Sequence, residues 1–249
     1  MLPHNKPSNQ VRISDHNKRS EVKLFCSEKR NLLILCLAWA VCYLPVCWFR
    51  PLVMPDETRY AEIAREMVHG QSWIVPHLDG LLYFEKPVFG YWLNSLSLLL
   101  LGENAFAIRF PSALSVLITA LAIYVLIRRE QSEPDCAMTG SLLYLSTLGV
   151  WGIGVSAVLD NPFSLFCTLS LISFYWASQA KRWSRQEWFF LALSGIFCGL
   201  GLLTKGFVVL PVIAMAVTPY LIIRKRYADL FRMAWFPAIM ATLVTLPWG

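Results

Sequence analysis

The feature that most constrains this chain is a near-continuous succession of apolar runs. They cover about 31–49, 107–127, 137–157, 162–180, 188–203 and 207–223, and another starts near 233 and is still running at 249. Crossing a bilayer takes roughly 20 apolar residues as a helix. Lipid offers no partner to a free backbone N–H or C=O, so a chain of such runs folds as a helical bundle. Composition agrees: 56% of residues are hydrophobic and 15% charged, against about 45–50% and about 25% in ordinary soluble domains. The expected class is an all-α polytopic membrane protein. The net charge of +6 does not point to a nucleic-acid partner, because Lys and Arg sit in short clusters between apolar runs, the positive-inside pattern. The seven cysteines are scattered with no CxxC pair, and read as small buried residues rather than metal ligands or disulfides.

Residues 1–30 are polar and basic (Lys6, Arg12, Lys18, Arg19, Lys23, Lys29, Arg30). They are predicted to be a cytoplasmic arm without regular structure. The arm is too long for a cleavable leader, so 31–49 reads as a signal anchor with the N-terminus inside. The loop 50–87 then lies outside. Segment 88–101, within 88–104, is short for a crossing. If it crosses, Arg128-Arg129, the 181–185 cluster and Arg224-Lys225-Arg226 with Arg232 all fall outside. If it lies in the interface or re-enters, all fall inside, as the charge rule prefers. The second count gives seven crossings from 31 to 249.

The densest charge lies in the stretch 54–70. Asp56 reads as a helix N-cap after Pro55, and Gly70 as the residue that stops the helix. Tyr60, Ile63, Ala64, Met67 and Val68 share one face; Glu57, Arg59, Glu62, Arg65 and Glu66 take the others. A helix this short and polar is expected to lie on the membrane surface. The same count brings to the outer side Glu85 and Lys86, Asp160 in Leu159-Asp160-Asn161-Pro162, and Lys205 in Leu203-Thr204-Lys205-Gly206. Charge at mid-bilayer is unfavourable by roughly 2.5–3.5 kcal/mol, so such residues tend to mark sites. Carboxylates and cations meeting at one face suit an anionic lipid headgroup. Pro162 suits a first helical position and Asn161 its cap, which leaves Asp160 without a structural task. His69 and His77 lack partners at ligand spacing. A transporter or lipid flippase is the rival reading, but the charges gather at one face rather than the midplane and no internal repeat is evident. No P-loop or dinucleotide-binding glycine motif is present.

The run Asp56 to Met67, then Tyr83-Phe84-Glu85-Lys86-Pro87, Arg109-Phe110-Pro111-Ser112, Leu159-Asp160-Asn161-Pro162 and Leu203-Thr204-Lys205-Gly206 resembles the PMT-like glycosyltransferases. Their bacterial branch includes the aminoarabinose transferases of lipid A. The resemblance runs from about residue 30 to the end. It implies a GT-C transmembrane fold in a bacterial inner membrane, a polyprenyl-phosphate sugar donor, and transfer on the periplasmic side to a lipid, glycan or protein acceptor, lipid A among them. It further implies that Asp56, with Asp160 and Glu57, serves catalysis by orienting or deprotonating the acceptor, although Glu57 also suits a first helical turn electrostatically. Lys86, Arg59 and Lys205 would hold the donor phosphate. Glu85 would either hold a divalent cation or pair with Lys86. Family members are much longer, so 31–249 is expected to be the N-terminal part of the transmembrane domain and inactive alone.

Overall fold

The computed structural model describes residues 9–248 apart from 71 and 132, with side chains described from residue 28 onward. The first helix, α1 (Asn9–Phe49), corrects the expectation of an irregular arm. No Pro or Gly interrupts 9–30, and a helix already nucleated by the apolar run extends backwards at one hydrogen bond per residue. Residues 1–8 lie outside the described residues.

After α1 comes α2 (Asp56–Val68), halted where Gly70 takes φ +100°. Strands β1 (His77–Leu78) and β2 (Leu81–Leu82) pair antiparallel. Asp79 (φ 53°) and Gly80 (φ 75°) form the two-residue turn between them, the backbone that Asp-Gly favours in tight hairpins. The remaining helices are α3 (Phe89–Leu101), α4 (Ala105–Glu130), α5 (Pro134–Ser146), α6 (Leu148–Gly154), α7 (Asp160–Gln179), α8 (Arg185–Lys205), α9 (Val209–Ile223), α10 (Tyr227–Arg232) and α11 (Trp235–Thr245). Asn104 caps α4 by accepting from Ala107 N–H at 2.9 Å, and Ser184 caps α8 by accepting from Glu187 N–H at 3.1 Å.

Among the described residues, three helical stretches are long and apolar enough to cross a membrane: Glu28–Phe49, Ala105–Glu130 and Arg185–Ile223. A fourth is Pro134–Ser146 with Leu148–Gly154, bent by 61°. The long third stretch doubles back at Gly206, where φ is +75°. Lys205 pairs with Asp160 at the start of α7, whereas Arg226, just past α9, donates to Ser178 O near the end of α7 at 2.7 Å.

The bundle therefore has two polar ends. One gathers Arg50, α2, the hairpin, α3, the start of α4 and the segment before α7; there Trp248 Nε1 reaches Ile74 O at 2.7 Å. The other gathers Arg128 with Glu28 (2.7 Å), Tyr175 with Glu130 (2.8 Å) and Arg232 with Glu187 (2.7 Å). Between the ends, Trp39 Nε1 donates to Ala113 O at 2.7 Å and the Tyr43 hydroxyl to Leu145 O at 2.9 Å, tying α1 to α4 and α5. On α8, a Cβ at Gly195 would lie 2.4 Å from Pro237 O, and one at Gly199 would lie 2.8 Å from Val244 Cβ. Glycine there is what admits α11 at this closeness.

Helix α3 stays at the first end. Val88 at its cap position and Tyr91 within it pack with Tyr60, Ile63 and Leu159, while Leu98 packs with Ala107, Ile108 and Ala157. The buried stripe of α2 (Tyr60, Ile63, Ala64, Met67) meets these protein side chains rather than lipid.

Candidate functional site

Two layers make up the polar end, a buried one and an exposed one. The buried layer centres on Glu57, which is only 3% exposed. The sequence pattern placed it on the polar face of α2; it points inward instead. Its Oε1 accepts from Arg109 Nε, Arg50 Nη2 and Ala157 N–H, each at 2.9 Å, and its Oε2 from Arg109 Nη2 at 2.6 Å and Val53 N–H at 2.7 Å. Arg109 is fully buried and also donates to Cys47 O at 3.2 Å, Pro51 O at 2.7 Å and Arg50 O. Burial raises the Glu57 carboxyl, but the Arg109 bond, the Ala157 and Val53 N–H groups and the Arg109 charge outweigh it and hold the group down at about 2. One carboxylate thereby fastens the end of α1, the start of α2, the start of α4 and the segment leading into α7.

The exposed layer sits beside it. Asp56 is the first residue of α2 and not its cap: Pro55 holds the cap position and no side chain caps the helix. Glu57 instead takes the upstream Val53 N–H, which leaves the Asp56 carboxylate free to pair with Arg59. Arg59 Nη1 also reaches Glu85 Oε2 at 3.1 Å, and Lys86 Nζ lies 3.5 Å from Glu85 Oε1. The Tyr83 hydroxyl donates to Glu85, and burial together with that bond pushes Tyr83 up to about 12. Glu85 is lowered, first by the Tyr83 bond and then, against the opposing effect of burial, by Arg59 and Lys86.

Asp160 likewise begins its helix, with Leu159 at the cap position. Asn161 is not the cap expected of it; its Nδ2 is buried and donates to Ser112 Oγ at 3.0 Å. Asp160 accepts from Lys205 Nζ at 2.6 Å. The two exposed clusters share a floor of Tyr60, Tyr91 and Leu159. The Tyr60 phenol is raised by burial and, with Arg59 opposing, by the charges of Asp56, Glu85 and Asp160 together. Six of the seven expected site residues thus face one region, and Glu57 lies beneath it.

Arg109, Arg50, Tyr83 and Tyr60 were not among the expected site residues. An arginine inside an otherwise apolar run is the signal that could have singled out Arg109.

Glu85 does not suit a metal ion: Arg59 and Lys86 face its two oxygens, and a cation would meet like charge there. Among the described residues the ligand atoms of Glu62, Glu66 and Asp79 lie within 4.8 Å of one another. Two of the three are already engaged, Glu62 by Arg65 at 2.7 Å and Glu66 by Gly80 N–H at 3.2 Å. Among the same residues Cys36, Cys42, Cys47, Cys136, Cys167 and Cys198 are free thiols. Beside the exposed clusters, α3, α4 and α7 enclose an apolar cavity of about 420 Å³, lined by Phe89, Leu93, Phe110, Leu114, Ile118 and Phe166 among others.

Known proteins resemble this chain in sequence and in fold. A relative from Edwardsiella ictaluri, described as undecaprenyl phosphate-alpha-4-amino-4-deoxy-L-arabinose arabinosyl transferase, is 43% identical over 199 residues, covering 80% of this chain and 36% of the relative. The chain therefore spans little more than a third of that relative's length. The crystal structure of ArnT from Cupriavidus metallidurans bound to undecaprenyl phosphate superposes with a TM-score of 0.78 at 24% identity, over 87% of this chain and 40% of that one. The S. cerevisiae protein O-mannosyltransferase Pmt1-Pmt2 complex bound to the sugar donor gives 0.65 at 17% identity, over 88% and 32%. The fold is that of the GT-C membrane glycosyltransferases. The profile of the dolichyl-phosphate-mannose-protein mannosyltransferases matches residues 30–249, nearly the whole chain, and the chain belongs to that family.

Proposed function

We propose that this chain carries the donor-phosphate and acceptor-orienting part of a glycosyltransferase that takes a sugar from a polyprenyl-phosphate carrier. The observation that carries the reading is the meeting of Arg59, Lys86 and Lys205 with Asp56, Glu85 and Asp160 at one end of an apolar bundle. The cavity that opens beside Phe89, three residues after Lys86, suits an isoprenoid tail. The relatives' printed donors, an undecaprenyl-phosphate aminoarabinose above all, support the same carrier.

In this mechanism an acceptor oxygen attacks the anomeric carbon. The bond from that carbon to the phosphate oxygen breaks, and its electron pair stays on the phosphate. Lys86, Arg59 and Lys205 stabilise the charge that develops there. Asp56, with Asp160, orients the acceptor; a hydroxyl acceptor passes its proton to Asp56, whereas a phosphate acceptor has none to lose. Glu57 positions Asp56 through the buried network. Acceptors are lipid, glycan or protein, lipid A among them.

The active end faces the periplasm, and the N-terminus lies in the cytoplasm of a bacterial inner membrane. Support comes from the basic clusters Arg128-Arg129, Lys181-Arg182 and Arg224-Lys225-Arg226, which all belong to the opposite end. Seven crossings (α1, α4, α5 with α6, α7, α8, α9, α11) connect the two ends on this reading.

The test is sugar transfer by the intact protein from an undecaprenyl-phosphate sugar. Asp56→Asn and Lys86→Ala are each expected to lower the rate by 100-fold or more, on the order of removing one transition-state contact. Wild-type rates for both would refute the assignment.

A further inference from the structure

Each cation assigned to the donor phosphate already has a carboxylate of its own. Arg59 holds Asp56 and, at 3.1 Å, Glu85; Lys86 lies 3.5 Å from Glu85; Lys205 lies 2.6 Å from Asp160. Three cations face three carboxylates, so the cluster is neutral before any phosphate arrives. Glu85 differs from the other two acids in spanning two of the cations at once, and the Tyr83 hydroxyl holds it in that place.

We propose that Glu85 is a resident counter-ion: it competes with the lipid phosphate for Arg59 and Lys86, and it takes them back to eject the spent carrier. The proposal rests on the donor-phosphate reading above. A carboxylate and a phosphate oxygen accept the same hydrogen bonds from a guanidinium or an ammonium, so phosphate displaces Glu85 rather than adding beside it.

The two substrates of this exchange carry different charge. The sugar-linked carrier is a phosphodiester with a single negative charge. Once the anomeric bond breaks and its electron pair remains on the phosphate, the carrier is a monoester of about −1.5 to −2 at pH 7. The Glu85 carboxylate, close at hand, repels the monoester more than the diester. Tyr83, pushed up to about 12, stays protonated at working pH and keeps aiming the carboxylate at the two cations. Glu85 is in this sense a positioning residue that sets how tightly product is held.

The experiment measures binding of undecaprenyl phosphate, and of the uncharged undecaprenol, to the intact protein in nanodiscs. Wild type is expected to prefer the phosphate, and Lys86→Ala to lose that preference. Glu85→Gln is expected to bind undecaprenyl phosphate about two- to fivefold tighter, the range set by losing one exposed ion-pair competitor. Its affinity for undecaprenol stays unchanged, and product inhibition strengthens by the same factor. Damage to the fold weakens binding, so a gain in affinity has no such explanation. Unchanged or weaker phosphate binding by Glu85→Gln, with the wild-type preference intact, overturns the proposal alone. Loss of wild-type binding on chelation overturns it by making Glu85 a metal ligand. If wild type holds phosphate and alcohol equally, the donor-phosphate reading falls and this proposal with it.

Discussion

Asp56 and Glu57 adjoin in sequence, yet Asp56 leaves 55% of its side chain in solvent and Glu57 leaves 4%. The first is placed to meet a substrate; the second is consumed by the fold. Removing one partner of a buried ion pair destabilises by about 3–5 kcal/mol, because the other charge stays buried alone. Arg109→Ala is therefore expected to lower the melting temperature of the detergent-solubilised protein more than any substitution at Asp56. Glu57 also ties stability to pH. Its folded value of about 2 lies below the unfolded value of about 4.3. The stabilisation is full above the unfolded value and is lost as pH falls through about 4 towards 2. Glu57→Gln is expected to flatten the melting-temperature profile across that window; a slope equal to wild type would show that other groups govern it. At this scale the sequence pattern was only partly legible. Asp and Asn before an apolar run suggest caps, but the α2 cap sits at Pro55 rather than Asp56, and the α7 cap at Leu159, two positions before Asn161. The Glu57–Arg109 pair spans 52 residues, and no local periodicity encodes a contact of that separation.

The elements themselves were more legible, because apolar length and helical spacing are local properties. The buried stripe of α2 follows the spacing of Tyr60, Ile63, Ala64 and Met67. Segment 88–101 forms a short helix, as its length implied. The hairpin at Asp79-Gly80 was not among the expectations, although Asp-Gly is a strong turn signal; its strands are only two residues each. What spacing alone does not display is how closely two helices approach. The α8–α11 contact depends on Gly195, where a Cβ would meet backbone oxygen at 2.4 Å, whereas a Cβ at Gly149 meets nothing within 4 Å. Gly195→Val is expected to destabilise by roughly 1–3 kcal/mol through overpacking, read as a fall in melting temperature. Gly149→Ala is expected to leave it unchanged within error. Equal shifts in the two variants would mean that α11 is not held by this seam.

Across the whole molecule, charge is sorted by end. The end carrying Asp56, Lys86 and Asp160 mixes both signs in exposed pairs, and the far end buries Glu187 against Arg232 while leaving Lys181, Arg185 and Lys225 outward. In a cysteine-free background, a cysteine at 128 is expected to react with an impermeant thiol reagent only after the cells are permeabilised, and one at 84 before. Labelling of 128 from outside would sink the seven-crossing count. The helix that carries Asp160 has one more consequence. Among the described residues α7 is not one of the stretches apolar enough to cross a membrane unaided. Its Ser170 hydroxyl bonds Ser194 O on α8 at 2.8 Å, and its Ser178 hydroxyl meets the Tyr220 hydroxyl on α9 at 2.9 Å. A ribosome adding about 5–20 residues per second delivers α7 before either partner exists. Stable insertion is then expected of the α7–α8 hairpin as a unit, and a nascent chain arrested before residue 185 is expected to leave the Asp160 helix outside the hydrocarbon.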